Sequence, residues 1–360
     1  MSDYFKTRKR DTIARLRQIR EDLPEFCDQF FIGIEPQTTE LTRLNYAYDL
    51  RVFFYYLSTV PKMFRAREPI SFTIDDMKNV TINHFEGYLE WLTSYTYQNK
   101  ECSNGERGKA RKLSTVRTFF KYYFNKGLLP SNVASKISLP KLHDKEIVRL
   151  EVDEVANMLD AVDSGDGLTN HSKEFHEKTK QRDIALITLL LGTGIRVSEC
   201  VGLNVNDIDF NSNAFTITRK GGAKSILYFG NEVADALAEY IYCEREEIKN
   251  KIDEDALFLS LQKKRICVRA VENLVKKYAS IITPLKKISP HKLRSTFGTN
   301  LYRATSDIYM VADVLGHRDV NTTKKHYAAI SDDNRRKAAG TVVLRENKPN
   351  NNYHDENSDD

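Results

Sequence analysis

The sequence predicts a mainly α-helical chain with a small β-sheet, divided into two domains. Three observations carry this. Apolar residues recur at spacings of three and four through residues 38–140. That pattern breaks at a polar, proline-containing stretch near residue 140. A single short segment with two-residue alternation, around 215–229, then interrupts an otherwise helical second half. At 360 residues the chain has the length of two ordinary domains.

Residues 1–37 form a basic N-terminal extension, with Arg8, Lys9, Arg10, Arg15, Arg17 and Arg20 close together. It reads as a basic helix or a mobile arm, too short to bury a core of its own. Residues 38–138 read as a helical bundle. Leu41, Leu44, Tyr48, Val52 and Tyr55 mark one helix. Thr81 can cap a second, carrying Phe85, Tyr88, Leu89 and Leu92. After a loop at 100–109, Leu113, Val116, Phe120 and Tyr123 stripe a third. Residues 139–149 are the linker, because Pro140 disfavours helix in the residue before it. Residues 150–345 make a second, α+β domain. In it Phe215 and Ile217 alternate with Thr216 and Thr218, Gly221-Gly222 turn the chain, and Ile226, Tyr228 and Phe229 return. Residues 164–180 read as a polar loop insertion, and the Asn- and Asp-rich tail 346–360 as disordered.

Composition narrows the function. Hydrophobic residues at 41% can supply two cores. The longest apolar run, Ile184 to Leu191, is too short to span a bilayer, and the basic, polar start lacks a signal-peptide pattern. The expected location is the cytoplasm. The five cysteines are scattered and odd in number, which disfavours a disulfide framework or a zinc site. The net charge of +5 is modest, but residues 107–126 hold seven basic residues and no acid. Arg111, Lys112, Arg117 and Lys121 of that block are candidate DNA contacts, although such a block also suits a plain solvated face.

The chemistry lies in an ordered set. Arg196 follows two glycines in Gly192-Thr193-Gly194-Ile195-Arg196-Val197-Ser198-Glu199. Lys220 sits in a glycine-containing turn, His291 and Arg294 in Pro290-His291-Lys292-Leu293-Arg294, His317 in Leu315-Gly316-His317, and Tyr327 last. Attack on a phosphodiester adds negative charge to oxygens that already carry it. An arginine suits that task because its planar fork gives parallel donors and never deprotonates. Arg196 and Arg294 fit this role. Glu199, three residues after Arg196, can orient its guanidinium. Ser289-Pro290 reads as a helix start that puts His291 and Arg294 one turn apart. A tyrosine hydroxyl with a pKa near 10 is only about a thousandth ionised at neutral pH, so it must lose its proton as it attacks. Tyr327 is the candidate nucleophile; Tyr302 and Tyr309 precede the Gly316 stop and fit helix packing. Lys220 can protonate the leaving oxygen as general acid, with Lys224 a rival close by. His291 can relay a proton or hold a phosphate oxygen, and His317 can donate a hydrogen bond to one. His171 and His176 have poor ligand spacing, so no metal is expected, and no cofactor either.

Over residues 38–345 these motifs together resemble the tyrosine recombinase (phage integrase) family. The resemblance implies a two-domain, C-shaped clamp on double-stranded DNA. It also implies a catalytic pocket of Arg196, Lys220, His291, Arg294 and His317, with Tyr327 forming a 3′-phosphotyrosine intermediate. It further implies a homotetramer that joins two sites through a Holliday junction, with accessory DNA-bending proteins as candidate partners. The segment 335–344 then corresponds to one that docks on a neighbouring protomer in the family. The extension before residue 38 and the insertion at 164–180 make this chain longer than the compact chromosome-dimer resolvases, and lean toward integration or excision of a mobile element. A type IB-like topoisomerase, or a DNA-binding protein without catalysis, are the alternatives.

Overall fold

The computed structural model describes residues 3–141, 148–219, 223–317 and 320. It divides between Lys145 and Glu146 into two compact units, and no described helix is long and apolar enough to cross a membrane.

The first unit is helical with one hairpin. It runs α1 (Asp3–Arg20), α2 (Cys27–Gly33), α3 (Glu40–Thr59), α4 (Ile74–Lys78), α5 (Ile82–Trp91), β1 (Tyr95–Tyr97), β2 (Lys100–Cys102) and α6 (Glu106–Asn125). Thr39 starts α3 by accepting the Thr42 amide on its side chain. The predicted stripes of α5 and α6 face inward: Phe85, Tyr88, Leu113, Val116, Phe120 and Tyr123 are all buried. Edge-to-face contacts such as Phe53 against Tyr88 and Phe85 against Phe120, both at 5.2 Å between ring centroids, give this core its geometry.

Two expectations change here. Of the two readings of the N-terminal extension, the helix is found as α1, and it is no separate arm, because Leu16, Ile19, Leu23, Cys27, Phe30 and Phe31 join the same core as α3 and α6. Burial against a neighbouring helix supplies what a short segment cannot supply alone. The expected loop at 100–109 is part hairpin and part helix. Gln98 and Asn99 take positive φ (50° and 59°) and turn β1 back onto β2, and α6 begins at Glu106.

The second unit runs α7 (Val152–Ser164), α8 (Asn170–His176), α9 (Lys180–Thr193), α10 (Val197–Cys200), β3 (Ile208–Asp209), β4 (Ala214–Thr218), β5 (Lys224–Tyr228), α11 (Asn231–Glu239), α12 (Val268–Ile282), α13 (Pro290–Thr305) and α14 (Ile308–Leu315). α9 is central. Its Ala185, Leu186, Ile187, Leu189 and Leu190 are buried, and α7, α11 and α13 pack around it. β3, β4 and β5 form one antiparallel sheet in that order. Phe215 pairs with Leu227 and Ile217 with Ser225. Period two therefore turns Leu227 inward and leaves Ile226 and Tyr228 60% and 70% exposed. The region 164–180 is a packed element and not a plain loop. Thr169 caps α8, and buried His176 sits 3.0 Å (Nδ1) from the Tyr278 hydroxyl on α12.

Candidate active site

The site forms where three chain segments meet the end of α14. α9 stops because Gly194 adopts φ +60°. A Cβ there would lie 2.4 Å from Phe297 and 3.0 Å from Leu315, so this position accepts only glycine without displacing α13 and α14. The chain then leaves the helix for one turn of extended backbone, and Arg196 becomes the N-cap of α10. Glu199 is buried and grips Arg196 twice. Its Oε2 accepts the Arg196 backbone N–H at 3.0 Å, and its Oε1 accepts from Nη1 at 3.0 Å. The guanidinium is thus oriented as expected, and its side chain stays 38% exposed.

α14 starts at Asp307, whose carboxylate accepts the amides of Tyr309 and Met310. It ends at Gly316, with φ +59°. The amide of His317 returns to the Ala312 carbonyl at 2.9 Å, which closes the helix end. The last carbonyls of such a helix carry partial negative charge. Three guanidiniums meet three consecutive ones. Arg219 Nη2 donates to Val314 at 3.1 Å, Arg294 Nη2 to Leu315, and Arg196 Nη2 to Gly316 at 3.1 Å. Arg294 is buried, and its Nη1 also donates to the Gly194 carbonyl. Arg294 therefore joins the turn before Arg196 to the turn before His317.

The predicted residues divide accordingly. Arg196, Glu199 and Arg294 converge with the Leu315-Gly316-His317 turn. His291 is exposed, one turn before Arg294 on α13. Lys220 and Tyr327 lie outside the described residues. Lys224, the rival of Lys220, begins β5 and is exposed. Of the competing tyrosines, Tyr302 packs against Val311 and Leu315 as expected, whereas Tyr309 is 71% exposed on α14. Cys200, beside Glu199, is no rival nucleophile, because burial first and the Glu199 carboxylate second push its thiol up to about 12.

Arg219 was missed by the sequence reading. A basic residue beside a Gly-Gly turn carries no signal of a partner 95 residues away. Burial, the largest cause, and the charge of Arg196 pull the Arg219 guanidinium below its ordinary value, against Glu199 and Asp313.

The basic stretch of the first unit is less available than its composition implied. Lys112 is buried with Nζ 3.2 Å from Oδ1 of Asp49 on α3, and it presents no charge to solvent. This corrects its assignment as a DNA contact: a buried carboxylate needs a partner, and α6 supplies it. Arg111 reaches the same carboxylate at 2.6 Å while its side chain stays 53% exposed. Arg117 donates to the carbonyls of Ala134 (3.1 Å) and Ser135 (2.8 Å). Lys121 is exposed.

Comparison with known proteins agrees with this architecture. The phage integrase family model matches residues 148–334. The tyrosine recombinase XerC of Caldanaerobacter subterraneus subsp. tengcongensis is 32% identical over 334 residues, covering 89% of this chain and 87% of that protein. The tyrosine recombinase XerD of Corynebacterium glutamicum is 31% identical over 251 residues, 70% of this chain and 79% of that protein. Among solved structures, the Tn1549 transposon integrase in complex with circular intermediate DNA shares the fold at a TM-score of 0.62 and 19% identity, covering 87% of this chain and 98% of that one. A lambda integrase dimer bound to a core site does so at 0.58 and 15%, covering 83% and 93%. With guanidiniums gathered from α10 and α13 at one helix end and kinship along nearly its whole length, the chain belongs to the phage integrase family, the tyrosine-type site-specific recombinases.

Proposed function

We propose that this chain breaks and rejoins double-stranded DNA at specific sites, with Tyr327 as nucleophile. The Tyr327 oxygen forms a bond to the scissile phosphorus and gives up its proton to His291 or to water. The bond from phosphorus to the 5′ oxygen breaks, and that oxygen takes a proton from Lys220, or from Lys224. The products are a 3′-phosphotyrosine and a free 5′ hydroxyl, and attack by a 5′ hydroxyl from a partner strand reverses the step. Arg196 and Arg294 face the charge that builds on the non-bridging oxygens, Glu199 orients Arg196, and His291 and His317 donate to the same oxygens or relay the proton. Bond energy is conserved in each exchange, so no nucleotide cofactor is required.

The observation that carries this reading is the joint anchoring of Arg196 and Arg294 on the carbonyls just before His317. Fixed donors aimed at developing charge need not reorganise during the reaction. We place the enzyme in the cytoplasm, associated with the nucleoid, acting as a homotetramer on two sites through a Holliday junction, with accessory DNA-bending proteins. Of the four candidate cations on α6, Arg111 and Lys121 are the two that stay exposed to meet phosphates. The setting proposed is integration and excision of a mobile element. A second setting, resolution of chromosome dimers, is favoured by the 32% identity to a XerC protein over 89% of the chain.

A nicked suicide substrate tests the chemistry. Wild-type protein forms a covalent protein–DNA product, and Tyr327→Phe abolishes it while DNA binding persists. Binding without any covalent product would leave only a DNA-binding protein. Exchange between two sites that requires a multimer separates a recombinase from a topoisomerase acting alone.

A further inference from the structure

Arg219 directly follows β4 and bridges the β4–β5 hairpin to α14. Its backbone N–H donates to the Ala223 carbonyl at 2.8 Å, closing the neck of the β4–β5 hairpin. Its Nε donates to Oγ of Ser225 on β5 at 2.9 Å. Its Nη2 donates to Val314 on α14 at 3.1 Å. The guanidinium also fills the space beside Gly316, where an added Cβ would lie 1.2 Å from Nη1. Nη1 is buried and has no hydrogen-bond partner among the described residues. A cation lodged beside Arg196, with one donor unsatisfied, is unfavourable on its own terms. The compensation is geometric: one side chain joins the hairpin to the helix end that also anchors Arg196 and Arg294.

The residue after Arg219 in sequence is Lys220, and Lys224 begins the returning strand. Lys224 therefore lies next to the neck that Arg219 closes, and Lys220, outside the described residues, is the neighbour of Arg219 in sequence. We propose that Arg219 is a positioning residue, which ties the lysine-bearing hairpin to the C-terminal end of α14 so that the ammonium is delivered to the departing 5′ oxygen. It does not itself touch the phosphate, since its remaining nitrogen is shut away from solvent. The inference rests on the strand-cleavage reading above and adds a residue that reading does not use.

The test separates leaving-group protonation from every other step. Cleavage is measured in single turnover on two suicide substrates, one ordinary and one with sulfur in place of the bridging 5′ oxygen. A thiolate leaves without being protonated, so the sulfur substrate bypasses the general acid. Wild-type protein and Tyr327→Phe come first. If no Tyr327-dependent adduct forms, the cleavage reading itself fails before Arg219 is altered. Lys220→Ala and Lys224→Ala then identify the donor as the variant whose loss sulfur repairs. If sulfur repairs neither, the hairpin supplies no general acid and this inference falls, with the cleavage reading intact.

For Arg219→Ala the expected result is a loss of about 10–100-fold on the oxygen substrate, below the full general-acid contribution, and a rate close to wild type on the sulfur substrate. An equal loss on both substrates, or no loss, overturns the inference. Ser225→Ala removes only the Nε contact and serves if Arg219→Ala unfolds. It is expected to show a smaller loss that sulfur also repairs, and a loss that ignores the leaving group would count against the proposal in the same way.

Discussion

The Arg196 guanidinium donates to the Gly316 carbonyl, 120 residues further along the chain, at 3.1 Å. This contact sets the distance between the α10 arginine and the turn that carries His317. Glu199 holds the same guanidinium from the other side at 3.0 Å.

Replacing Arg196 by lysine keeps a charge but cannot serve Glu199, the Gly316 carbonyl and a phosphate together, because an ammonium is a point donor and a guanidinium a planar fork. Covalent adduct formation on the suicide substrate is expected to fall about 10²–10³-fold, the usual cost of one preorganised donor. DNA affinity measured by gel shift changes little. Glu199→Gln should retain more activity than Glu199→Ala, since it keeps an acceptor for the Arg196 amide.

Asp49 is fully buried and accepts from Lys112, Arg111 and Thr115. Asp49→Ala strands the Lys112 ammonium in the core and should destabilise the first unit by about 3 kcal/mol. The single tryptophan, Trp91, lies in that unit and reports its urea unfolding by fluorescence. Asp49→Ala combined with Lys112→Met should recover much of the loss. A double variant as unstable as the single one would show that the charge pair is not the cause.

His84 accepts the Thr81 N–H on Nδ1 at 3.0 Å at the start of α5, with the Phe64 ring 5.5 Å away. Burial holds its imidazole below the ordinary 6.5. The unfolded chain therefore binds the proton more readily than the folded one. The contribution of this cap is complete above 6.5 and lost as pH falls through the depressed folded value. The urea midpoint read from Trp91 should decline on acidification through that window, and His84→Gln should flatten that part of the decline.

Lys121 and Arg117 are both candidate DNA contacts on α6, and the structure gives them different surroundings. Lys121→Ala should lower the slope of log affinity against log salt by about 0.9, the value for one phosphate contact, with stability unchanged. Arg117→Ala leaves two carbonyls without their donor and should cost about 1–2 kcal/mol of stability. An unaltered salt slope for Lys121→Ala would remove α6 at that position from the DNA surface.

The sequence by itself determined the helical periodicities of α3, α5 and α6, the glycine stop before Arg196, the Pro290 start of the helix bearing Arg294, and the ordered set of residues that resembles one family. Each of these is local, because a periodic stripe, a cap or a positive-φ glycine is written within a few neighbouring residues. Only the tertiary structure decided that Lys112 turns inward to Asp49, that Leu16 to Ile34 contribute to the first core, and that Arg219 meets Val314. Those outcomes depend on partners 63 residues away for Lys112 and 95 for Arg219. A charged side chain has no periodicity to announce its partner. Where it points is set by which carboxylate or carbonyl the packed elements leave unsatisfied within its reach.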